Sequence, residues 1–278
     1  SSPGASVRMA VIGCGQMGTL HAKKLAAMKD IDLVAVCDRN DIKAERVADE
    51  IGCDAEVDYA NLMGEVDAVV VATNPANHGQ VCDDFLNNTV HVLVEKPIAM
   101  SESDAKYMTE IAETNGLVLQ VGHVERFNPV FRRIAATIES PFQIEAHRHS
   151  QIESRHQEID VVLDLMIHDI DMVLSIARTE VCKIIGSGSR EAAIAELGFI
   201  DGSVAILHAN RKAASQARVW CVNDEKHYLM TEEDYLSEEL RHFIECVRKG
   251  EQPRVGGREG SAALKVALEI SRQIREAE

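Results

Sequence analysis

A glycine-rich turn between the first apolar run and the first amphipathic run constrains the fold most strongly. Gly13, Gly15 and Gly18 form the pattern G-x-G-x-x-G after a strand predicted over 7–12, and they open a helix predicted over 16–28. In such a turn the first glycine permits a tight bend, the second lets a pyrophosphate approach the backbone, and the third lets the helix pack closely on the strand. Because a helix N-terminus offers amide groups to phosphate, the pattern predicts a dinucleotide-binding loop.

Asp38 and Arg39 follow the second predicted strand. Asp38 stands twenty positions after Gly18, where a carboxylate accepts hydrogen bonds from the ribose hydroxyls of adenosine. A carboxylate there disfavours a 2′-phosphate, so the sequence predicts NAD in preference to NADP. NADP remains an alternative cofactor, because the Arg39 guanidinium can stack on adenine or pair with a phosphate. The alternative is a glycine-rich turn in another kind of α/β protein.

Short β-rich runs alternate with longer amphipathic runs through the first 121 residues. This alternation predicts βαβ units in an α/β, Rossmann-type doubly wound parallel sheet. The predicted strands are 7–12, 33–37, 68–72, 90–94 and 117–121, and the predicted helices are 16–28, 41–51, 77–87 and 101–115. Since 278 residues are enough for two domains, we predict one domain over 1–121 and a second over 122–278.

The second domain is predicted to be an α+β domain with an open, mostly antiparallel sheet. The predicted helices are 129–138, 161–176, 236–249 and 260–277, and the extended runs are 142–150, 182–187, 194–200, 204–209 and 217–222. Asp201 and Gly202 lie between two of these runs and predict a hairpin. The predicted turn is type I′, in which both central residues have φ > 0.

Composition excludes several classes of function. The chain has 45 acidic and 29 basic residues, a net charge of −16, so its field repels nucleic acids and anionic membranes. No apolar run approaches the ~20 residues that a membrane span needs, and the N-terminal residues do not resemble a signal peptide. The seven cysteines contain no C-x-x-C pair and are predicted to be reduced core thiols. We therefore expect a cytoplasmic protein.

Lys96 follows the fourth predicted strand, and open α/β sheets bind ligands at the carboxyl ends of their strands. Glu95 and Pro97 flank it and predict a rigid turn that directs the lysine toward the cofactor, where it can transfer a proton. The alternative is a solvated lysine in a loop, which is the usual environment of this residue type.

Asp164 and His168 stand four residues apart, on one face of a predicted helix, where a carboxylate and an imidazole can converge on one substrate. A metal site would combine them with Asp169 or Asp171 and with the H-x-H run at 147–149. Because the two later acids lie on other helix faces, we predict no metal site. A buried histidine capped by neighbouring acids is the structural alternative.

Further polar residues follow the third predicted strand and bridge the two predicted domains. Residues 73–75 and His78 are expected where a nicotinamide ribose would lie, and the bridge at 122–129 contains Glu125, Arg126 and Asn128. The candidate anion-binding residues, with surface ion pairing as the alternative, are Arg148, Arg155 and Arg211.

Five ordered motifs resemble the Gfo/Idh/MocA family, the glucose-fructose oxidoreductase and inositol dehydrogenase group of NAD(P)-dependent sugar dehydrogenases. The resemblance covers nearly the whole chain. The motifs are the glycine loop 13–18, Thr73-Asn74-Pro75 with His78, Glu95-Lys96-Pro97, Arg126-Phe127-Asn128-Pro129, and Asp164-x-x-x-His168.

The resemblance implies an oxidoreductase that converts a secondary hydroxyl to a ketone, with Lys96, Asp164 and His168 as the catalytic group. It implies that residues 1–121 bind NAD(P), and that 122–278 bind substrate and form a homodimer or homotetramer through the open sheet. The cofactor-binding residues are then Gly13, Gly15, Gln16, Met17, Gly18, Asp38, Arg39, Thr73, Asn74, Pro75, His78, Glu95 and Lys96. The substrate-binding residues are Lys96, Glu125, Arg126, Asn128, Arg148, Asp164 and His168.

Three segments, 121–129, 145–148 and 162–171, resemble the branch of the family that oxidises the 3-hydroxyl of UDP-N-acetylglucosamine. This implies a nucleotide-sugar substrate, although the connections at 189–193 and 222–230 are shorter than in that branch. The alternatives are an inositol or free-sugar dehydrogenase, and a non-catalytic regulator that senses a dinucleotide.

Overall fold

The computed structural model describes residues 6–151 and 158–278, and its N-terminal part contains a six-stranded parallel sheet. The strands are β1 Val7–Ile12, β2 Ile31–Cys37, β3 Asp54–Glu56, β4 Ala68–Val71, β5 His91–Glu95 and β6 Leu119–Gly122. Their order is β3-β2-β1-β4-β5-β6, so the direction of strand addition reverses between β1 and β4. The predicted Rossmann-type sheet is confirmed, and ligands of such sheets bind at this reversal point.

Four helices connect these strands: α1 Gln16–Ala26, α2 Asp41–Ile51, α3 His78–Asn87 and α4 Glu102–Asn115. Local sequence explains their ends. The side chains of Asn40 and Ser101 accept hydrogen bonds from backbone amides of the first turns of α2 and α4. Gly52 and Gly116 end the same two helices with positive φ, a conformation that glycine adopts without strain.

The second sheet is mixed and mostly antiparallel, as predicted. Its strands are β7 Gln143–His149, β8 Val181–Gly188, β9 Ala192–Phe199, β10 Val204–Asn210, β11 Ala217–Val222 and β12 Glu225–Tyr228, in the order β12-β11-β7-β10-β9-β8. Only the central pair β7–β10 is parallel among these pairings. One face is buried, because Ile144, Ala146, Ala205 and Leu207 alternate with more exposed neighbours.

The two hairpin turns of this sheet correct one prediction. Asp201 and Gly202 do join β9 to β10, but only Gly202 has positive φ, 89°, so the predicted type I′ turn is wrong. The Gly202 amide donates a hydrogen bond to Phe199 O. A single left-handed residue at the end of the turn is therefore sufficient to reverse the chain direction. The type I′ conformation instead occurs at Asn223 and Asp224, with φ of 46° and 69°, between β11 and β12.

The remaining helices are α5 Pro129–Thr137, α6 Ile167–Ile176, α7 Tyr235–Lys249 and α8 Gly257–Ala277. A π-helical turn, Val162–Met166, precedes α6, so the helix predicted over 161–176 changes its hydrogen-bond pattern near its start. No helix in the described part of the chain combines the length and apolarity needed to cross a bilayer.

The chain divides into two compact units. The first contains the described residues up to Gly122 and Leu236–Ser261, and the second contains the described residues of His123–Tyr235 and Ala262–Glu278. This differs from the predicted division after residue 121, because Leu240, Phe243 and Ile244 of α7 belong to the core beneath the parallel sheet. Apolar packing therefore assigns a late helix to the N-terminal unit.

Candidate functional site

The glycine loop connects β1 to α1 in the first unit. Gly13 has a φ of 103°, and a Cβ there would lie 2.4 Å from Ala72 O, so only glycine fits. A Cβ on Gly18 would lie 1.7 Å from Gly13 O. A Cβ on the exposed Gly15 would instead have no neighbouring atom within 4 Å. Two glycines thus shape the turn, while the third leaves its surface open to a ligand.

The N-terminus of α1 can receive an anion. Gly15 is its N-cap and supplies no side-chain hydrogen bond, and the first turn, which contains Gln16 and Met17, has no acidic residue. The first amides of the helix are consequently not occupied by a capping side chain. Unoccupied amides and the helix dipole suit a phosphate group.

The Asp38 carboxylate lies against the glycine loop. It accepts hydrogen bonds from the amides of Cys14 and Asn40, both at 2.9 Å. These bonds fix the carboxylate beside the turn, as the spacing of the motif predicts. Arg39 is exposed next to it. The two residues that bear on the choice between NAD and NADP therefore flank the loop.

His78 connects the loops that follow β4 and β5. Its Nδ1 lies 2.8 Å from Pro97 O and its Nε2 lies 3.1 Å from Thr73 O. The Asn74 side chain accepts a hydrogen bond from the amide of the second residue after it, in the short turn that begins at Pro75. The structure thus brings the predicted 73–75 segment and the lysine turn together at the carboxyl edge of the parallel sheet.

Glu95 anchors the turn that carries Lys96. Its carboxylate lies 2.6 Å from His21 Nε2 on α1, and it also accepts a bond from the Lys96 amide at 3.3 Å. Burial alone would raise the pKa of Glu95, but the hydrogen bond and charge of His21, with Lys96 nearby, hold that pKa below its usual range. This carboxylate is occupied internally, whereas the half-buried Lys96 stands at the end of β5. Cofactor contact by Glu95 stays a prediction.

In the second unit, Asp164 lies in the π-helical turn and His168 in the first turn of α6. Asp164 is 9% exposed, and its Oδ2 is 3.5 Å from Arg211 Nη1. Arg211 is buried and also donates to Ile159 O at 2.8 Å and to Glu191 at 3.1 Å. The guanidinium therefore holds Asp164 in a fixed setting. π-helical turns of this kind are frequent at functional sites.

Buried ion pairs occupy the arginines predicted to meet substrate. Arg148 binds Asp169 through two nitrogens at 2.8 and 3.1 Å, and Trp220 Nε1 donates to the same carboxylate at 2.8 Å. Arg126 binds Asp171 at 3.1 Å. Each of the two acids that the alternative metal site could have used, Asp169 or Asp171, is thus paired with an arginine, and a buried charge requires such a partner. Arg155 lies outside the described residues.

Glu125 and Asn128 belong to the same buried cluster. Asn128 Nδ2 donates to Glu125 Oε2 at 3.2 Å and to Leu229 O at 2.8 Å. The Tyr235 hydroxyl donates to Glu125 Oε1 at 3.0 Å, and burial together with the Glu125 charge raises the pKa of Tyr235 to about 12. These contacts give both bridge residues an internal role, and their predicted contact with substrate stays a prediction.

Sequence reasoning missed four residues that set this geometry. His21 holds Glu95 beside Lys96, and Arg211 acts as the partner that holds Asp164. Trp220 and Tyr235 complete the buried cluster. The usable signal was the requirement that buried arginines and carboxylates be paired. It indicates that partners exist, but their positions depend on the fold.

The parallel sheet, the glycine loop at its reversal point and Asp38 define the class of an NAD-binding Rossmann oxidoreductase. The family model described as the oxidoreductase family with an NAD-binding Rossmann fold matches residues 7–123. The chain belongs to this Gfo/Idh/MocA family.

Two relatives and one solved structure are similar over most of the chain. A UDP-N-acetylglucosamine 3-dehydrogenase of Acidithiobacillus ferrooxidans is 34% identical over 219 residues, which cover 76% of this chain and 69% of the relative. A myo-inositol 2-dehydrogenase of Thermotoga maritima is 25% identical over 323 aligned positions, covering 97% of both chains. The solved structure of the A. ferrooxidans UDP-N-acetylglucosamine 3-dehydrogenase superposes with a TM-score of 0.90 at 28% identity, over 98% of both chains.

Proposed function

We propose that this protein is an NAD-dependent dehydrogenase that oxidises the 3-hydroxyl of UDP-N-acetylglucosamine, or of a related nucleotide sugar, to a ketone. The observation that carries the proposal is the 34% identity to a UDP-N-acetylglucosamine 3-dehydrogenase, together with the TM-score of 0.90 to a structure of that enzyme. The chain has three candidate acid–base residues in buried or half-buried positions: Lys96, Asp164 and His168. Because a protein that only senses a dinucleotide needs no such set, these residues support a catalytic role.

The first unit has the features that an NAD molecule requires. The open backbone at Gly15 and the uncapped amides of Gln16 and Met17 suit its pyrophosphate, and Asp38 suits the adenosine ribose. Thr73 and Asn74 provide polar groups beside the lysine turn. When bound, NAD supplies the acceptor for the hydride that leaves the sugar carbon. The Asp38 carboxylate favours NAD over NADP, because it repels a 2′-phosphate.

Side chains of the protein accept the proton of the sugar hydroxyl and stabilise the charge on its oxygen. We assign proton acceptance from the sugar hydroxyl to His168, because imidazole exchanges protons near neutral pH. We assign the orientation of that ring to Asp164, which Arg211 holds. We assign to Lys96 a hydrogen bond that stabilises the charge on the oxygen as it becomes a carbonyl.

The diphosphate of a nucleotide sugar needs cationic or amide partners, and three arginines were the predicted candidates. Arg148 and Arg211 are 4% and 2% exposed and are paired internally. We therefore propose that they shape the second unit and that other groups bind the diphosphate.

An inositol is the second candidate substrate. It is favoured by the myo-inositol 2-dehydrogenase that matches 97% of the chain, a longer span than the nucleotide-sugar relative matches. Inositols have no phosphate to be bound, so the internal pairing of Arg148 and Arg211 is compatible with an inositol substrate. Identity of 25% is lower, and we rank this candidate second.

Self-association and location complete the proposal. We propose a homodimer or homotetramer formed through the open sheet of the second unit. A cytoplasmic location accords with seven free cysteines, of which Cys14, Cys37, Cys82 and Cys246 are buried.

The formation of NADH, followed by its absorbance, tests the function. Purified protein with NAD⁺ is offered UDP-N-acetylglucosamine, UDP-glucose, myo-inositol and glucose in parallel. We expect NADH with UDP-N-acetylglucosamine, and a fall of at least about a hundredfold in kcat for Lys96→Met, because a general-acid or polarising group contributes about 10² to 10⁴. NAD⁺ affinity, measured by calorimetry, should change little.

Lys106→Met is the matched control, since Lys106 is an exposed lysine of α4 that pairs with Glu110 on the same helix. It should retain full activity. NADH with myo-inositol alone would replace the nucleotide-sugar assignment. Tight NAD⁺ binding with no turnover of any sugar would favour the sensory alternative.

A further inference from the structure

The outer face of the second sheet carries three metal-ligating side chains on two adjacent strands. β7 and β10 run parallel, and their register places His147 directly opposite His208, with Glu145 two residues before His147. Ile144 and Ala146 are buried on the inner face. Because side chains alternate along a strand, Glu145 and His147 project from the outer face together with His208.

The three side chains already converge. Glu145 Oε1 lies 3.0 Å from His147 Nε2 and 3.2 Å from His208 Nε2. The two imidazole rings stack at 9° with their centroids 4.2 Å apart, and one ligand atom of each residue lies within 4.8 Å of the others. In a tetrahedral zinc site with bonds of about 2.0 to 2.1 Å, neighbouring ligand atoms are about 3.4 Å apart. The ligand atoms are thus near the spacing of a metal site, and the two rings would have to turn out of their stacked arrangement to direct both Nε2 lone pairs at one ion.

The charge of the chain also suits a cation. The net charge of −16 gives the whole chain a field that attracts cations.

Hydrogen bonding alone is the competing explanation for this geometry. Glu145 can accept a bond from each ring, but both rings must then carry a proton on Nε2. A bound cation requires the opposite arrangement, a lone pair on both Nε2 atoms. The two explanations therefore differ in whether the cluster takes up an ion.

We propose that Glu145, His147 and His208 form a binding site for a divalent transition-metal cation, and that Zn²⁺ best matches their two imidazoles and one carboxylate. Three protein ligands leave a fourth position for water. All three belong to the second unit, whereas the loops assigned to NAD belong to the first. Binding thus does not require the cofactor, and the inference does not depend on which sugar is the substrate.

Calorimetric titration of the whole chain with Zn²⁺ tests the site. We expect one Zn²⁺ per chain, and at least about tenfold weaker binding in His147→Asn and in His208→Asn, because each loses one of three ligands. His227→Asn is the matched control. His227 lies on β12 of the same sheet and approaches Glu225, at 4.0 Å, rather than the proposed ligands, so wild-type affinity is expected. Cys182→Ser, which removes the exposed thiol, should also leave the affinity unchanged.

Co²⁺ gives a second readout that does not depend on enzyme activity. Its visible absorption should intensify when it binds the wild-type chain and should be lost in the His147→Asn/His208→Asn double variant, whose circular dichroism checks that it folds. The proposal is overturned if the wild-type chain takes up no Zn²⁺, if the double variant binds as tightly as the wild type, or if His227→Asn loses the site equally.

Discussion

At the scale of single residues, two glycines of the same loop should respond differently to a methyl group. Gly15→Ala places its Cβ in open space at a φ of −73° that alanine adopts, so the free energy of unfolding should not change. NAD⁺ affinity should fall at least about tenfold, because the methyl group occupies the surface that the pyrophosphate approaches. Gly18→Ala should instead reduce the free energy of unfolding by roughly 2 to 4 kcal/mol, because its Cβ would overlap Gly13 O.

Urea unfolding of the ligand-free protein and calorimetry with NAD⁺ separate these effects. Unchanged NAD⁺ affinity in a stably folded Gly15→Ala variant would contradict the assigned role of the loop. The difference between Gly15 and Gly18 could be predicted from the motif, because a Cβ on Gly18 would overlap Gly13 O of the same loop and one on Gly15 would meet no atom within 4 Å.

Partners distant in the sequence could not be predicted in this way. Glu95 was expected to meet the cofactor, but its hydrogen-bond partner His21 is 74 residues away. Asp164 was expected to orient His168, and its own anchor Arg211 is 47 residues away. The chemistry of a buried carboxylate requires a partner, but only the folded backbone determines which one is near.

At the scale of elements, the contact between α3 and α4 contains a carboxylate that opposes folding at neutral pH. Burial, and the nearby charges of Asp104 and Asp84, raise the pKa of Asp83 to about 6. Its Oδ1 is buried without a hydrogen-bond partner among the described residues. Because the pKa of Asp83 is higher in the folded state, this carboxyl group ionises at a lower pH in the unfolded chain than in the folded chain. The unfavourable charge is therefore absent below about pH 4, appears as pH rises toward 6, and is fully present above it.

Asp83→Asn should consequently raise the free energy of unfolding at pH 7 by about 1 kcal/mol, after allowance for the solvent exposure of this side chain. The gain should disappear as pH falls from about 6 to 4. Asp49→Asn is the control, because Asp49 is an exposed aspartate of α2, and it should leave the free energy of unfolding nearly unchanged across the same pH range. Urea unfolding across this pH range measures both variants, and a pH-independent effect of Asp83→Asn would contradict the assignment.

Most elements could be predicted from periodicity, since β1, α2 and β11 have the predicted bounds and the other predicted elements lie within a few residues of theirs. The edge strands β3 and β12 were missed. They have three and four residues, mostly polar, and pair on one side only, so neither leaves a hydrophobic pattern. The π-helical turn at Val162–Met166 was also missed, because an extra residue in a turn leaves the apolar spacing nearly unchanged.

At the scale of the whole molecule, the outer face of the second sheet is the surface from which we expect self-association. Ile185, Ile194 and Ile206 on β8, β9 and β10 are 48%, 46% and 36% exposed. The strand register puts them on the same face, because Ile185 and Ile206 both lie opposite Glu196, and Ile194 lies opposite His208. Exposed apolar side chains grouped on one sheet face mark an interaction surface.

Ile194→Glu should therefore convert the oligomer to a single chain of 30.6 kDa, because a charge buried between two copies has no partner there. Light scattering coupled to size-exclusion chromatography measures the mass. Ile42→Glu makes the same change at a 73% exposed isoleucine of α2 and should leave the oligomer intact. A wild-type mass of one chain, or equal dissociation by both variants, would exclude this face as the interface. Since Ile194 lies opposite His208, an oligomer that forms here would also place the proposed cation site against the second copy.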